Sequence, residues 1–337
     1  MTPLRIALVG LDHWYTALPL AEGVAQRDGM VLAGVWYAEP ERAAALGLAR
    51  VEPDWRRLVD SPGVDAVLSF TSPDLNHEVC REAAAAGKHV IANKPLARHL
   101  DDASAVVAEV RRAGVHLLPA ESRQRLGPRL ALLRQWLTDG RIGRVTSAAL
   151  ATWAGLPQRW PDQQDPGWFA DPYRTAGGGW IDHAIYQVDA LRWLLGAAVT
   201  SMTGTVARHR HPDLAVEDYG VATATFAGGV IATLEDTWTA PDGRFQASTT
   251  LVGDAGAVRL DGLLGGLHVL GPAGWEEQAM PPPHDQAADL DHFAAVIRGE
   301  REPVATVEDA WHNLAACLAF YEAARTGHPV TPDGEPR

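Results

Sequence analysis

Cysteine is scarce in this chain, and long apolar runs are absent. The 337 residues contain only Cys80 and Cys317, each within an apolar helical pattern, so we expect buried free thiols rather than a disulfide framework. No apolar run approaches the ~20 residues that span a bilayer. The N-terminus enters an apolar strand without the charged and apolar regions of a signal peptide. These absences predict a cytoplasmic protein in a reducing compartment, without a membrane partner.

Positive charge is also in short supply. Lysine and arginine number 29 against 42 aspartates and glutamates, which gives a formal net charge of −13. Nucleic acids and anionic membranes bind proteins chiefly through clustered cations, so this balance argues against both as partners. A small, neutral or weakly charged ligand is more compatible with it. His209, His211 and His292 lack metal-ligand spacing, and we expect no bound metal.

Short apolar strands alternate with helices over residues 1–120. Continuous apolar strands of this kind are typical of a parallel sheet that is covered on both faces. We therefore predict an α/β fold whose N-terminal domain is a Rossmann-type, doubly wound parallel sheet. The expected strands are Leu4–Val9, Met30–Trp36, Val64–Phe70, His89–Ala92 and Val115–Pro119.

The pattern changes over residues 121–337. Strands rich in valine and threonine, such as Val145–Thr152 and Val221–Phe226, stand beside helical patterns at Trp180–Leu195 and Val307–Thr326. Strands of this composition predict an open, largely antiparallel sheet. We therefore expect a second, α+β domain over these residues.

Gly10 follows the first strand, where a dinucleotide-binding fingerprint would begin. The full pattern G-x-G-x-x-G would place glycine at positions 12 and 15, but Asp12 and Tyr15 stand there. A carboxylate would repel a phosphate, and a tyrosine side chain would hinder close approach. The strand, tight turn and helix still favour a dinucleotide at the helix N-terminus, in contact with Gly10, Asp12, His13 and Trp14.

Tyr37 follows the second strand, where an acidic residue would hold the adenosine ribose of NAD. Glu39 could serve that ribose, Arg42 could bind the 2′-phosphate of NADP, or both could simply decorate the next helix. The cofactor is therefore NAD or NADP, with NAD slightly favoured. His77 begins the helix that follows the third strand, where it fits a structural cap better than a catalyst. Further cofactor contacts are expected from Thr71, Ser72, Pro73, His77, Asn93 and Lys94.

These motifs together resemble the glucose–fructose oxidoreductase/inositol dehydrogenase/MocA (Gfo/Idh/MocA) family. The resemblance covers essentially the whole chain, although the family usually has glutamate where Asn93 precedes Lys94. It implies hydride transfer between nicotinamide and a carbinol carbon of a sugar, cyclitol or related polyol. It also implies that the C-terminal domain binds the substrate and forms a homo-oligomer through its sheet. The segments that carry it are Gly87–Val90, Asn93–Pro95, Thr71–His77, Gly140–Gly143, Gly177–Gly179 with Asp182, Val216–Asp218 and Gly253–Gly256.

The resemblance also implies the catalytic residues Lys94, Asp182 and Tyr186. The family usually carries Asp-x-x-x-His after the triple glycine, whereas here Tyr186 stands at the histidine position, on the same helix face as Asp182. Lys94 follows a strand at the sheet edge where α/β proteins bind ligands. Burial and the nicotinamide cation would lower its pKa for proton exchange with a hydroxyl. Alternatively, Lys94 is a solvated loop residue and Tyr186 a core aromatic.

Aromatic and basic residues extend the expected substrate site. The indole faces of Trp153 and Trp168 suit the C–H faces of sugar rings, although core packing is the alternative. Arg125 matches a family arginine near the cleft or forms a surface salt bridge. The expected substrate contacts are Lys94, Arg125, Trp153, Trp168, Asp182, His183 and Tyr186.

The irregular cofactor motif leaves other functions open. A non-catalytic dinucleotide- or sugar-sensing regulator on the same fold is favoured by Asp12, Tyr37 and Asn93, since fold does not fix function. A redox-neutral enzyme with tightly held NAD is a third reading. An NAD(P)-dependent dehydrogenase remains the leading hypothesis because Lys94, Asp182 and a protic Tyr186 are retained.

Overall fold

The structure is a computed structural model that describes residues 2–241, 243–262 and 265–336. Within these residues the strands form one sheet of five and one of eight. The first sheet contains β1 (Leu4–Val9), β2 (Met30–Trp36), β3 (Ala66–Ser69), β4 (His89–Ala92) and β5 (Leu117–Pro119). Its order is β2-β1-β3-β4-β5, and all neighbours run parallel. This arrangement confirms the predicted Rossmann-type sheet.

Helices α1 to α5 alternate with these strands. They are α1 (Trp14–Ala25), α2 (Pro40–Ala45), α3 (Trp55–Val59), α4 (Pro73–Ala85) and α5 (Leu100–Ala113). The expectation that His77 begins and caps a helix is wrong. Helix α4 starts at Pro73, whose fixed φ suits a first turn, with Ser72 as the N-cap residue. His77 lies one turn inside, its Nδ1 3.3 Å from the Pro73 carbonyl oxygen.

The second sheet is open and largely antiparallel, as predicted. Its strands are β6 (Val145–Ala154), β7 (Val199–Ala207), β8 (Tyr219–Phe226), β9 (Ile231–Thr237), β10 (Phe245–Gly253), β11 (Ala257–Asp261), β12 (Gly266–Gly271) and β13 (Gly274–Glu277). Their order is β13-β12-β11-β10-β6-β9-β8-β7, in which β6 and β9 run parallel and the other neighbours antiparallel. Gly228 and Gly229 lie in the turn between β8 and β9 with φ values of +90° and +85°, a backbone region that glycine adopts without steric cost.

One face of the second sheet packs against helices α7 (Gly179–Leu195) and α9 (Val307–Thr326). At this contact Trp180 stacks on Phe320, with ring centroids 3.8 Å apart. The remaining helices of the described residues are α6 (Pro128–Thr138), α8 (Gln286–Ile297) and two 3₁₀ segments, Glu121–Leu126 and Gly167–Ala170. Helix α8 packs against α1, so this late segment of the chain contacts the N-terminal half. The division at residues 120 and 121 stays a prediction.

The opposite face of the second sheet is open. Side chains alternate along a strand, and Trp153 therefore faces away from its buried neighbours Thr152 and Ala154. Its side chain is 46% exposed, and its Nε1 donates to the Glu235 Oε2 on the neighbouring strand at 3.5 Å. This corrects the expectation that Trp153 contacts substrate, because it lies on the face opposite the one that packs against α7 and α9.

Cys80 and Cys317 are buried free thiols, as predicted. Their burial raises the pKa of both thiols, which suppresses the reactive thiolate. None of the described helices has the length and apolar character needed to cross a membrane.

Candidate active site

The two sheets meet at a buried ion pair. Lys94 follows β4, and Asp182 lies in the first turn of α7. The Lys94 Nζ donates hydrogen bonds to the Asp182 Oδ1 and to the Asp182 backbone oxygen, both at 2.6 Å. Lys94 is 3% exposed and Asp182 is 9% exposed. The structure thus excludes the solvated-loop alternative for Lys94.

The second carboxylate oxygen of Asp182 has partners of its own. The indole Nε1 of Trp238 donates to Asp182 Oδ2 at 3.0 Å, and His183 Nδ1 lies 3.5 Å from the same oxygen. Trp238 is 1% exposed. Because each oxygen is held from a different direction, the carboxylate is fixed in one orientation.

Opposite charge controls the protonation of this pair. Burial alone would raise the pKa of Asp182, but the Lys94 ammonium group lowers it well below its usual range. Burial alone would lower the pKa of Lys94, but the Asp182 carboxylate raises it above its ordinary value. The predicted low pKa of Lys94 is therefore wrong for this state. The site holds a protonated amine against an ionised carboxylate.

Helix α7 carries no side-chain cap of its own and is held by Glu217 instead. The Glu217 Oε1 accepts hydrogen bonds from the backbone N–H of Gly178 at 2.9 Å and of Trp180 at 3.2 Å. The Tyr321 hydroxyl donates to the same oxygen at 2.7 Å. A Cβ at Gly177 would collide with the Tyr321 ring. The glycine-rich turn and Val216–Asp218 thus fix the helix end that presents Asp182.

A cavity of about 310 Å³ lies between α7 and the second sheet, and neither Lys94 nor Asp182 is among its described lining residues. Tyr186 lies one turn after Asp182, with its ring centroid 5.5 Å from Lys94 Nζ, and both Tyr186 and His183 line the cavity. Burial raises the pKa of the Tyr186 phenol, which keeps it protonated at neutral pH. The other lining residues are Gln124, Leu130, Leu150, Ala151, Thr152, Gln187, Ala190, Leu194, Phe245, Ala247, Ser248 and Thr249.

The predicted cofactor residues converge at the carboxyl ends of β1 to β4. Gly10 has φ +89°, and a Cβ there would lie 2.5–2.8 Å from Thr71 and Phe70, so glycine alone permits the two turns to touch. The Asn93 Nδ2 donates to the Thr71 carbonyl oxygen at 2.9 Å. Ser72 and Pro73, which start α4, complete this edge.

Asp12 is accommodated by polar neighbours. Its Oδ2 accepts a hydrogen bond from the Ser72 backbone N–H at 2.8 Å and lies 3.8 Å from Arg174 Nη2. Burial raises the pKa of the Asp12 carboxyl, while the Ser72 hydrogen bond and the Arg174 guanidinium lower it, and the guanidinium offsets part of the negative charge that would repel a phosphate.

The end of β2 carries mixed charges. Glu39 pairs with Arg42 at 3.4 Å and also with Arg159, while Arg42 pairs with Asp162 at 3.2 Å. Tyr37 is 3% exposed. This is the edge at which a Rossmann sheet reads the adenosine ribose.

Buried polar atoms at this edge fit a polar ligand. Among the described residues, no hydrogen-bond partner is found for the His13 Nε2, Trp14 Nε1, Thr71 Oγ1 or Asn93 Oδ1 atoms. Buried polar groups are nearly always paired. Helix α1 also lacks a side-chain cap and an acidic residue in its first turn, which leaves its N-terminal amides suited to phosphate. The residues therefore fit NAD or NADP.

Two expected substrate contacts lie elsewhere than predicted. The Arg125 guanidinium bonds to Asp189 at 2.5 Å and Asp309 at 3.0 Å. Arg125 is buried, so it neither lines the cleft nor forms a surface pair. Trp168 is 3% exposed and donates from Nε1 to the Asp12 carbonyl oxygen at 3.1 Å. It lies beside the Rossmann edge, near Lys94, rather than in the cavity that Tyr186 lines.

Sequence reasoning gave Arg174 no site role, and it considered Trp160 and Trp238 only among the tryptophans whose indole faces suit a sugar ring. Each of the three makes its contact with a partner at least 56 residues away in the chain, which leaves no local signal.

Comparison with known proteins identifies the family. Residues 4–120 match a model described as "Oxidoreductase family, NAD-binding Rossmann fold", and residues 130–259 match the GFO/IDH/MocA C-terminal domain. The chain belongs to the Gfo/Idh/MocA oxidoreductase family. This confirms the predicted family, the oxidoreductase activity and the NAD(P) cofactor.

Individual relatives and a solved structure are consistent with this family assignment. A 1,5-anhydro-D-fructose reductase of Ensifer adhaerens is 29% identical, with 90% of this chain and 92% of that protein covered. A scyllo-inositol 2-dehydrogenase (NAD(+)) of Bacillus subtilis strain 168 is 27% identical, with 98% and 96% covered. The solved structure of a levoglucosan dehydrogenase in complex with NADH and L-sorbose superposes with a TM-score of 0.86 at 21% identity, covering 99% and 100%. None of these similarities supports the regulatory alternative.

Proposed function

We propose that this family member is an NAD-dependent oxidoreductase acting on a neutral, monosaccharide-sized sugar or cyclitol, with Lys94, Asp182 and Tyr186 at the reacting oxygen. The observation that carries the proposal is the buried Lys94–Asp182 pair, whose Lys94 Nζ lies 5.5 Å from the ring centroid of Tyr186, a residue that lines the cavity of about 310 Å³. A charged pair buried at the carboxyl edge of a Rossmann sheet is an expected feature of a reaction centre.

Lys94 supplies or accepts the proton in this proposal. The bound nicotinamide would supply or accept the hydride at the carbinol carbon. The protonated Lys94 Nζ donates its proton to the carbonyl oxygen during reduction and takes it back from the hydroxyl during oxidation. Because Asp182 raises the pKa of Lys94, the protonated form dominates at neutral pH. A protonated Lys94 can donate a proton at once, which favours reduction of a carbonyl substrate.

Asp182 and Tyr186 orient the substrate around Lys94. Asp182 keeps the ammonium group charged, and its carboxylate can also accept a hydrogen bond from a neighbouring substrate hydroxyl. Tyr186 stays a phenol and can donate to the same reacting oxygen. His183 lines the cavity, and burial lowers its pKa, so it offers a neutral ring to a further hydroxyl.

The cavity lining supports a neutral substrate. Among its described lining residues, none carries a permanent charge, whereas phosphorylated sugars and sugar acids require a cation. Leucine and phenylalanine side chains offer apolar contact to ring C–H groups. Gln124, Gln187 and Ser248 offer hydrogen bonds to hydroxyls. The names of the two curated relatives also denote uncharged polyhydroxy compounds.

The charges at the end of β2 support NAD over NADP. Arg42 and Arg159 are the cations there, and both already pair with carboxylates, Glu39 and Asp162. A 2′-phosphate would have to displace these carboxylates. Glu39 can instead accept hydrogen bonds from the ribose hydroxyls of NAD.

A substrate panel tests this proposal. NADH consumption is followed by reduced-nicotinamide absorbance with neutral ketoses, anhydroketoses and keto-inositols, and with their phosphates and acids. We expect turnover with at least one neutral compound and none with the charged ones. Lys88 and Lys94 are the only lysines in the chain, so Lys88→Met is a matched control for Lys94→Met. Equal losses in both variants would contradict a specific role for Lys94.

The open sheet face supports a homo-oligomer. Large apolar side chains on this face, including Trp153 and Ile231, are about half exposed. Sheet faces of this kind are commonly covered by a partner. Light scattering of the wild type and of Ile231→Asp tests this interface, and we expect a smaller species for the variant.

Buried thiols at Cys80 and Cys317 that form no disulfide support a cytoplasmic location.

A further inference from the structure

The cavity that Tyr186 lines is polar at one end and apolar at the other. Its polar end lies beside the reaction centre, where the Tyr186 ring centroid is 5.5 Å from Lys94 Nζ. His183 lines this end as well, and the Phe245 ring centroid lies 5.4 Å from that of His183. A ligand whose reacting oxygen contacts Lys94 would therefore extend into the cavity from this end.

The polar side chains at this end are held by the protein itself. The Gln187 Nε2 donates hydrogen bonds to the Thr152 Oγ1 and to the buried Asp236 Oδ1, each at 3.1 Å. The Gln124 Nε2 donates to the Tyr186 backbone oxygen at 2.6 Å. The Gln187 Oε1 is buried and has no partner among the described residues, so a ligand hydroxyl can donate to it. Hydrogen-bonding groups are therefore concentrated near the reaction centre.

The far end of the cavity is built mainly from apolar side chains. One and two turns further along α7, the lining residues are Ala190 and Leu194, and both are buried. Strand β6 contributes Leu150 and helix α6 contributes Leu130. Thr249, which pairs with Leu150 in the sheet, adds one hydroxyl at this end. We call the part of the cavity that these four apolar residues line the apolar arm.

Helix α6 forms one wall of the apolar arm. Just before this helix, Gln124 donates to the backbone oxygen of Tyr186, and within it Arg134 donates to the backbone oxygen of Trp193. Both chain segments therefore advance in the same direction, and α6 lies alongside α7. Leu130 falls between these two contacts, beside the middle turns of α7. The apolar arm is thus enclosed by two helices and the sheet.

The cavity is longer than a single sugar ring. Between Tyr186 and Leu194, both of which line it, the helix rises by about 12 Å at about 1.5 Å per residue. Between Phe245 and Thr249, which also line it, strand β10 rises by about 13 Å at about 3.3 Å per residue. A six-membered sugar ring held at Tyr186 would cover about one helical turn, ~5 Å, of this length. The apolar arm is therefore available to a further part of the ligand.

The lining of the apolar arm determines the chemistry of that further part. A hydroxyl or a charged group placed among leucine and alanine side chains would lose its bound water without gaining a partner, which costs free energy. An alkyl or aryl group would instead gain free energy by leaving water. Among the described residues that line the cavity, none carries a permanent charge. The arm therefore fits an apolar substituent better than a second sugar ring.

We propose that the substrate is a sugar or cyclitol that carries an apolar alkyl or aryl substituent, and that this substituent occupies the apolar arm. The proposal rests on the proposed function, to which it adds the substituent. The reacting group stays at Lys94, and the substituent extends along α7 away from it. Binding energy gained in the arm holds the reacting carbon in place, so the substituent raises kcat/KM without changing the chemical step.

The chain length of the substituent tests this proposal on the full-length protein. The parent is the neutral panel compound with the highest turnover. Its O-methyl, O-propyl and O-pentyl derivatives at each hydroxyl are assayed by NADH consumption. Each methylene that enters the apolar arm should raise kcat/KM about three- to fourfold. In one positional series of the wild type we therefore expect roughly a tenfold rise from methyl to propyl, and a further rise to pentyl.

Two variants localise the effect to the apolar arm. Ala190→Phe fills the arm, so the ratio of kcat/KM for propyl over methyl should fall to about one. Leu130→Gln places an amide in the same space and should lower that ratio about threefold; Leu130 is only half-buried, so this variant serves if the larger side chain at 190 prevents folding. Ala131→Phe is the matched control, because Ala131 is exposed on α6 and is not among the described lining residues. It should keep the wild-type ratio.

A flat response overturns the proposal. If the wild type turns over the parent compound but kcat/KM does not rise with chain length in any positional series, the apolar arm holds no substituent. If kcat/KM rises by the same factor in the wild type, Ala190→Phe and Leu130→Gln, the substituent binds elsewhere and the proposal is wrong. Failure of every panel compound to consume NADH refutes the proposed function and this proposal together, which separates that outcome from failure of the arm alone.

Discussion

Replacing Lys94 with methionine removes the ammonium group while keeping an unbranched side chain of similar length. The proton that must reach the substrate oxygen then has no donor at Lys94 Nζ. General acid catalysis contributes typically 10²- to 10⁴-fold, so we expect the hydride-transfer rate to fall by about that factor. Cofactor affinity should change far less, because Lys94 lies at only one end of the cofactor-binding edge. Single-turnover absorbance measurements separate the two quantities.

The same substitution should destabilise the fold. Asp182 would be left without its counter-ion while 9% exposed, with Trp238 as the main remaining side-chain donor. Removing one partner of a buried ion pair costs roughly 3–5 kcal/mol. At about 2–4 °C per kcal/mol, the melting temperature should fall by roughly 6–20 °C. Differential scanning calorimetry measures this shift.

The double variant Lys94→Met/Asp182→Asn separates catalysis from stability. With both charges removed, no unpaired charge is left buried, so most of the lost melting temperature should return while hydride transfer stays slow. The reasoning is refuted if Lys94→Met leaves rate and stability unchanged. It is refuted equally if the double variant recovers the rate, since then the loss came from misfolding alone.

Three further substitutions test other parts of the site. Trp238→Phe keeps the aromatic packing but removes the hydrogen bond to Asp182, so we expect roughly tenfold slower turnover and a displaced pH–rate profile; an unmoved profile would leave Trp238 a packing role. Burial, with the nearby Asp189 carboxylate, raises the pKa of Glu121 from 4.5 to about 7. The folded state therefore binds this proton more tightly than the unfolded state does. The free energy of unfolding falls as the pH rises between about 4.5 and 7. Glu121→Gln should flatten that decline in urea unfolding at pH 5 and pH 8, and an identical decline in both proteins would contradict the assignment. Glu39→Ala should reduce the preference for NADH over NADPH in binding titrations, and an unchanged ratio would show that Glu39 does not read the ribose.

Local periodicity was sufficient to predict the Rossmann half. Strands β1, β2 and β4 begin and end where the apolar runs do, because parallel strands buried on both faces leave continuous apolar segments. Helix α4 was misjudged since Pro73 was assigned to a loop, although proline is well suited to a first helical turn.

Contacts across the chain could not be predicted from local signals. The resemblance brought Lys94 and Asp182 to one site, but the pKa of Lys94 depends on the 2.6 Å contact between them, which no spacing encodes. Arg125 was predicted to lie near the cleft or in a surface salt bridge, but its guanidinium is buried against Asp189 and Asp309. Trp168 was assigned to sugar binding because a sequence window does not show that it packs on Asp12, 156 residues earlier.

The most direct test of the account measures NADH consumption by wild type, Lys88→Met and Lys94→Met with a panel of neutral carbonyl sugars and keto-cyclitols. The account predicts turnover by wild type and Lys88→Met with at least one neutral compound, and a loss of about 10²-fold or more in Lys94→Met. Failure of wild type to consume NADH with any compound, or undiminished turnover in Lys94→Met, would contradict it.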